Sequence, residues 1–383
     1  RARHNTNARI VWSLSTTSSA FSRTALMATF HPLIVTEIRR ETRDSVVLSL
    51  AAPQEHKEAF RFTQGQYLTF RTLIDGEEVR RSYSICAGVH EPVLRVGIKK
   101  VPDGLFSTWA NEALKPGQQL EAMPPMGSFF VSLDPANHKH YAGFASGSGI
   151  TPLLSIVKTT LATEPHSSFS LFYGNRASST IMFREELEDL KSEHLDRFSV
   201  THILSREQQD VDLFNGRLGK EKCKQLFERW IDIRTVDTTF ICGSQDMMLK
   251  VSESLQEHGL DKRQIKFELF ATADAGRRKR APRATATVRA DLCQATVILD
   301  GRARTFGLEK NTITILDAAM REGMEVPCAC KAGVCSTCRA MLVEGQADMD
   351  ANYALEDYEI ARGYTLTCQA YPVSDKIVVD FDK

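Results

Sequence analysis

Four of the nine cysteines fall within eleven residues, from Cys328 to Cys338. Cys330, Cys335 and Cys338 stand in a C-x4-C-x2-C run, and Cys368 follows after twenty-nine intervening residues. That is the plant-type spacing for a 2Fe-2S cluster, in which four soft thiolates complete two iron tetrahedra. Ala332, Gly333, Ser336 and Thr337 are small enough for backbone N–H groups to approach the sulfurs and stabilise the more negative, reduced cluster. A four-cysteine zinc site is the alternative, but zinc usually takes its thiolates as two separate knuckles. Here three of the four share one loop. Cys328 lies outside the spacing and reads as a small buried residue.

A second group of residues suits a flavin. Arg81-Ser82-Tyr83-Ser84 lies on an expected strand: an arginine can hold a phosphate, an aromatic ring can pack on an isoalloxazine, and a serine can hydrogen-bond its N5 edge. The run resembles the R-x-Y-S signature of the ferredoxin-NADP reductase family. Gly104, Ser107 and Thr108 follow at the start of an expected helix, where free N–H groups and a hydroxyl suit a pyrophosphate.

The third group suits a dinucleotide. Gly147-Ser148-Gly149-Ile150-Thr151-Pro152 follows a buried strand and opens an amphipathic helix, so Gly147 and Gly149 allow a phosphate close, and Thr151 and Pro152 fit the first turn. Asn175 and Arg176 end the next strand, and Ser205 and Arg206 the one after, where an open parallel sheet binds its ligand. Ser205 and Arg206 resemble the pair that holds the 2'-phosphate of NADP in plant-type reductases, and forked contacts to phosphate suit arginine, so the resemblance favours NADPH over NADH. Cys242-Gly243 ends a further strand and is similar to the pair beside the nicotinamide in that family. Packing alone would explain Cys242 equally well. Glu268 falls where the family chain returns to the flavin.

The elements that must hold these groups change character along the chain. Short apolar runs at 32–38, 45–50, 66–73, 81–85 and 93–98 predict an antiparallel β-barrel over 29–135, with a helix at 106–114. From 136 to 272 strands at 141–145, 168–173, 199–204 and 239–242 alternate with helices, the clearest at 151–161. This predicts an α/β domain with a parallel sheet. Residues 273–290 read as a linker whose Arg277–Arg280 run is either solvated or a dock for an acidic partner. Past it, Asp300-Gly301 signals a hairpin, then come a helix at 315–322, the cysteine loop, a helix near 354–362 and closing strands at 364–368 and 376–381. That is the order of an α+β, β-grasp ferredoxin domain over 291–383.

At 383 residues the chain exceeds one core, and 42% hydrophobic with 48 basic against 48 acidic residues is an ordinary globular composition. It offers no charge argument for nucleic acid or an anionic membrane, and no apolar run is long enough to span a bilayer. Residues 1–28 carry Arg1, Arg3, Arg9 and Arg23 and no acid. They read either as a mitochondrial transit peptide or, more simply, as sequence translated from upstream of a start at Met27; we set them aside from the fold. The simpler reading leaves the chain cytoplasmic.

The order of barrel, nucleotide domain and ferredoxin from Phe30 to Lys383 resembles the oxygenase reductases. Stretches such as ETRDSV, RRSYSIC, FYGNR, FICG, GYTLTCQA and IVVDFD are similar to those of phenylacetyl-CoA epoxidase reductases. The resemblance implies FAD as the flavin, NADPH as the donor and a multi-subunit di-iron epoxidase of phenylacetate degradation as the acceptor. It implies hydride transfer from nicotinamide to flavin, then single electrons through the cluster to the oxygenase. Such a route needs no general acid or base, so no catalytic residue is assigned. A reductase of a ring-hydroxylating, alkane or aromatic oxygenase would look much the same. A redox-sensing iron-sulfur binding protein is the alternative of another class.

Overall fold

The structure is a computed structural model and describes residues 30–270, 292–328 and 330–383. The expectations for residues 1–28 and for the linker at 273–290 lie outside these residues.

The first sheet is antiparallel, with strands β1 (His31–Thr42), β2 (Ser45–Ala51), β3 (Tyr67–Ile74), β4 (Glu77–Ser84), β5 (Leu94–Lys99) and β6 (Gln119–Ala122) in the order β4-β3-β6-β1-β2-β5. A bridge between Ile85 and Val96 brings the two outer strands together. Alternate residues point inward, and Leu33, Leu48, Leu68, Phe70 and Val96 fill the interior while helix α1 (Leu105–Glu112) covers it with Phe106 and Ala110. Asp75 and Gly76, with φ of 53° and 83°, make the two-residue turn joining β3 to β4. Because of that turn β4 begins at Glu77, four residues earlier than the apolar pattern predicts. Short β6 also escapes the pattern.

The second sheet is wholly parallel: β7 (His140–Ser146), β8 (Ser168–Asn175), β9 (Phe198–Leu204), β10 (Thr238–Gly243) and β11 (Ile265–Leu269), in the order β11-β10-β7-β8-β9. The strand order reverses between β7 and β10, which opens a crevice at their carboxyl ends. Helices α2 (Ile150–Thr163) and α3 (Arg184–Glu193) cover one face, and α4 (Lys220–Arg229) and α5 (Gln245–Glu257) the other. Tyr141 and Ala145 serve the first core and Ala142 and Phe144 the second, as the alternation of a strand requires.

The third sheet holds β12 (Leu292–Leu299), β13 (Arg302–Glu309), β14 (Arg339–Glu344), β16 (Tyr364–Leu366) and β18 (Lys376–Asp380) in the order β13-β12-β18-β14-β16. Strands β15 (Ala347–Met349) and β17 (Ala370–Pro372) pair separately. β12 and β18 run parallel and the other pairs antiparallel. Helix α6 (Ile315–Arg321) lays Ile315, Leu316 and Ala319 against this sheet, giving the β-grasp arrangement. Asp300 and Gly301, with φ of 51° and 71°, form the hairpin turn their sequence predicts. Helix α7 (Asp357–Ala361) is a single short turn, narrower than the span expected for it.

Two kinds of contact join these units. Between the first two sheets, Lys158 on α2 bonds to Glu91 at 2.5 Å and also to Glu186, which in turn accepts from Arg95 at 2.7 Å. Phe129 packs edge-on against Phe240 across the same boundary. The third unit meets the second through exposed pairs, Lys262 with Asp357 at 3.6 Å and Lys266 with Glu356 at 3.9 Å. It meets the first through Arg80, whose guanidinium lies 3.5 Å from the Cys328 sulfur, and through Tyr67.

Candidate electron-transfer site

The cysteine loop wraps its sulfurs in backbone. Lys331, Gly333 and Ser336 all have positive φ (52°, 75° and 50°), which curls the chain so that successive N–H groups face inward. A side chain at Gly333 would sit 2.7 Å from the Ala351 carbonyl oxygen, so the curl admits nothing larger. The Ala332 N–H donates to the Cys330 sulfur at 3.3 Å. Cys330 and Cys335 lie within hydrogen-bonding reach of each other, and so do Cys338 and Cys368. The Cys335 contact, against the opposing effect of burial, and the N–H groups of Ala332, Val334 and Cys335 hold the Cys330 thiol well below its ordinary range. Among the described residues no three His, Cys, Asp or Glu side chains are grouped as a single ion would need. Two thiol pairs with N–H donors fit a two-iron cluster, two sulfurs to each iron. Cys328 is buried beside Met320, outside both pairs.

The expected flavin residues lie at the mouth of the first sheet. Ser84, at the end of β4, donates to the Glu268 carboxylate at 3.0 Å. Glu268 is on β11, whose register sets it beside Cys242 on β10. Enclosure by protein raises the Glu268 carboxyl to about 7, with the Ser84 bond opposing the shift. Burial, and then the nearby Glu268, pushes the Cys242 thiol up as well, so it stays protonated. Tyr83 packs against Phe106, with ring centroids 5.4 Å apart, and Arg81 is exposed. Gly104 caps α1, and the buried Ser107 hydroxyl is engaged by the Val101 N–H and the Gly104 carbonyl. It therefore shapes the turn from which Thr108 projects.

One cleft gathers residues from all three units: Ser84 and Arg81, Glu268 and Phe270, and Cys330 and Cys335. Tyr67, Ser82, Leu269 and Val334 complete its wall. Tyr67 and Phe270 escape sequence reasoning, because an aromatic residue in or beside an apolar strand reads as core. A second surface depression, near Trp230 and His258, contains none of the expected residues.

At the carboxyl edge of the second sheet, Gly147 has φ of 54° and open space where a side chain would stand. Gly149 is close-packed: a Cβ there would lie 2.2 Å from the Cys242 carbonyl oxygen, so its absence lets α2 start against β10 and Gly243. The Thr151 hydroxyl donates to the Ser148 carbonyl at 2.9 Å, and Pro152 is buried in the first turn of α2. Ser205 and Arg206 run alongside Asn175 and Arg176 through two backbone bonds of 3.0 and 2.8 Å. Both arginines are exposed, and the Asn175 amide nitrogen is buried without a hydrogen-bond partner. Open space, an unpaired donor and two free guanidinium groups at a switch-point crevice fit a dinucleotide phosphate.

Sequence comparison matches the three units in chain order. Residues 32–131 match the oxidoreductase FAD-binding domain, 144–253 the oxidoreductase NAD-binding domain and 297–373 the 2Fe-2S iron-sulfur cluster binding domain. In fold the chain is similar to phthalate dioxygenase reductase, with TM-score 0.56 and 21% identity over 92% of this chain and 98% of that one. It is also similar to an intact type IV self-sufficient cytochrome P450 monooxygenase, with TM-score 0.63 and 19% identity over 91% of this chain and 41% of that one. Fold and site together define a flavin and iron-sulfur oxidoreductase that takes electrons from a nicotinamide nucleotide, the class of oxygenase reductase components.

Its relatives are named accordingly. The glycine betaine monooxygenase reductase subunit of Pseudomonas aeruginosa (strain UCBPP-PA14) is 30% identical, over 84% of this chain and 88% of its own. A subunit of the 1,2-phenylacetyl-CoA epoxidase of Escherichia coli (strain K12) is 43% identical over 356 residues, 93% of this chain and 99% of its own. The chain belongs to the family of phenylacetyl-CoA epoxidase reductase components. Among the described residues no helix is long and apolar enough to cross a membrane.

Proposed function

We propose that this chain passes electrons from NADPH through FAD and a 2Fe-2S cluster to a multi-subunit phenylacetyl-CoA epoxidase in the cytoplasm. The observation that carries the reading is the shared cleft, where the Ser84–Glu268 pair and the thiols of Cys330 and Cys335 line one space. FAD, when bound, would supply the conversion of a hydride's two electrons into single ones, and the cluster would supply their one-at-a-time relay. The FAD domain runs over 29–135, the nucleotide domain over 136–272 and the ferredoxin over 291–383.

The chain's own residues bind and orient. Arg81, Gly104, Thr108 and, through its backbone N–H in the first turn of α1, Ser107 would hold the FAD pyrophosphate, Tyr83 would pack against the isoalloxazine, and Ser84 and Glu268 would lie toward its N5 edge. Gly147, Gly149, Thr151 and Pro152 bring the α2 N-terminus to the nicotinamide nucleotide's pyrophosphate. Asn175, Arg176, Ser205 and Arg206 take its adenosine end, with the guanidinium groups on a 2'-phosphate. Cys242 and Gly243 form the floor beneath the nicotinamide. Cys330, Cys335, Cys338 and Cys368 hold the irons.

The identity of 43% to one epoxidase component, against 28 to 30% for the steroid and betaine monooxygenase reductases, supports the epoxidase as acceptor. The test is reconstitution: purified protein, NADPH and the epoxidase's oxygenase component should turn phenylacetyl-CoA into its epoxide with stoichiometric NADPH oxidation. Equal coupling to an unrelated ring-hydroxylating oxygenase would overturn the assignment of partner. Arg206→Ala should raise KM for NADPH on the order of tenfold and leave that for NADH unchanged, the loss expected of a charged hydrogen bond.

A further inference from the structure

Tyr67 belongs to the flavin barrel but makes its side-chain bonds to the ferredoxin. Its hydroxyl donates to the Cys335 carbonyl and lies 3.0 Å from the Thr337 hydroxyl, although 268 residues separate Tyr67 from Cys335. The backbone beneath it is fixed on both sides. It is paired with Ser84 across β3 and β4, and it exchanges two hydrogen bonds, of 2.9 and 3.0 Å, with Met126. Gly127, with φ of 116°, leaves room for the ring; a Cβ there would stand 3.1 Å from it. Tyr67 and Cys335, with Met126 and Cys330 packed against them, form a small apolar cluster separate from the larger cores.

We propose that Tyr67 is the positioning residue that seats the iron-sulfur loop on the flavin cleft, fixing the Cys335–Thr337 turn so that cluster and flavin meet at a set separation. The placement is economical. Tyr67 stands directly across the ladder from Ser84, so the strand pair that orients the Ser84–Glu268 bond also orients the cluster loop. A rigid ring on a sheet holds geometry better than a side chain on a loop. The step it serves moves one electron. Two such transfers would pass on the pair of electrons carried by one hydride, each reducing the cluster by one, and the single proton that came with the hydride would leave to water once over the two.

The inference rests on the reading that the cleft takes the flavin. The test compares the holoprotein with Tyr67→Phe, which keeps the ring and removes the hydroxyl. Stopped-flow absorbance follows flavin bleaching by NADPH, and rapid-freeze EPR follows the reduced cluster. The ratio of the second rate to the first should fall several-fold, because the separation the electron crosses is no longer held by the Tyr67 hydroxyl. The EPR g values of dithionite-reduced protein should shift, a readout independent of turnover. Thr337→Val should move both readouts in the same direction, and it decides the matter if Tyr67→Phe assembles with less than full iron. An unchanged ratio with unchanged g values, or a parallel loss of both rates, overturns the assignment of Tyr67. If the flavin reading itself is wrong, the wild-type protein will show no NADPH-driven bleaching.

Discussion

The charge on Glu268 is set by the fold around it. Enclosure raises the carboxyl from 4.5 to about 7. Between those values the folded protein binds a proton that the unfolded chain has released, so Glu268 lowers stability progressively as pH rises from about 4.5 to about 7, and the cost is complete above that. A neutral carboxyl also suits a flavin that gains negative charge with a hydride. NADPH-driven flavin reduction should therefore slow above about pH 7, on the order of tenfold for each further step of about one in pH as the neutral carboxyl is titrated away. Glu268→Gln should flatten both the rate profile and the stability slope, as read by stopped flow and thermal melts across pH. The four cysteines and Ser84 can be read from the sequence because their chemistry is carried in local spacing. The bond from Ser84 to Glu268 cannot, since 184 residues separate them and only the closing of two sheets brings them together.

At the scale of elements, the junction of β10 with α2 shows why a glycine stands at position 149. The helix begins so close to β10 that a methyl group would lie 2.2 Å from the Cys242 carbonyl oxygen and 2.8 Å from the Gly243 nitrogen. Gly149→Ala should cost about 1 to 3 kcal/mol through overpacking, seen as a lowered Tm, and should raise KM for NADPH because the α2 N-terminus is displaced. The sequence shows the glycine motif and the strand and helix on either side of it. Short strands and turns are harder to read. β6, β14, β15 and β17 have no long apolar run, and their place is fixed by neighbours distant in sequence. Asp75-Gly76 carries the same turn chemistry as Asp300-Gly301, yet the charged residues after it, Glu77 and Glu78, hide the strand it opens.

Two of the seams that hold the whole molecule carry charge pairs, and they are unequal. Barrel and nucleotide sheet share the Lys158 network, in which the lysine side chain is only 7% exposed. Burial pushes the Glu186 carboxyl up, but Lys158 and Arg95 outweigh it and hold it below its ordinary range. That stabilisation is full above about pH 4.5 and is lost as the pH falls through the depressed pKa. Lys158→Met should destabilise by up to about 3 kcal/mol, since it leaves Glu91 and Glu186 to share Arg95, and should weaken this acid sensitivity; denaturant titrations at several pH values read both. The ferredoxin's seam with the nucleotide domain carries the exposed pairs Lys262–Asp357 and Lys266–Glu356, which salt screens. Rising KCl should slow flavin-to-cluster transfer by less than about fivefold, and Lys262→Glu with Lys266→Glu should be slow already and insensitive to KCl in stopped flow. The order of these units could be read from the sequence, but not the difference between their seams, because paired charges far apart in the chain leave no periodic mark. Salt therefore acts on the two unequally, and the exit end is the part whose hold on the nucleotide sheet the surrounding medium can loosen.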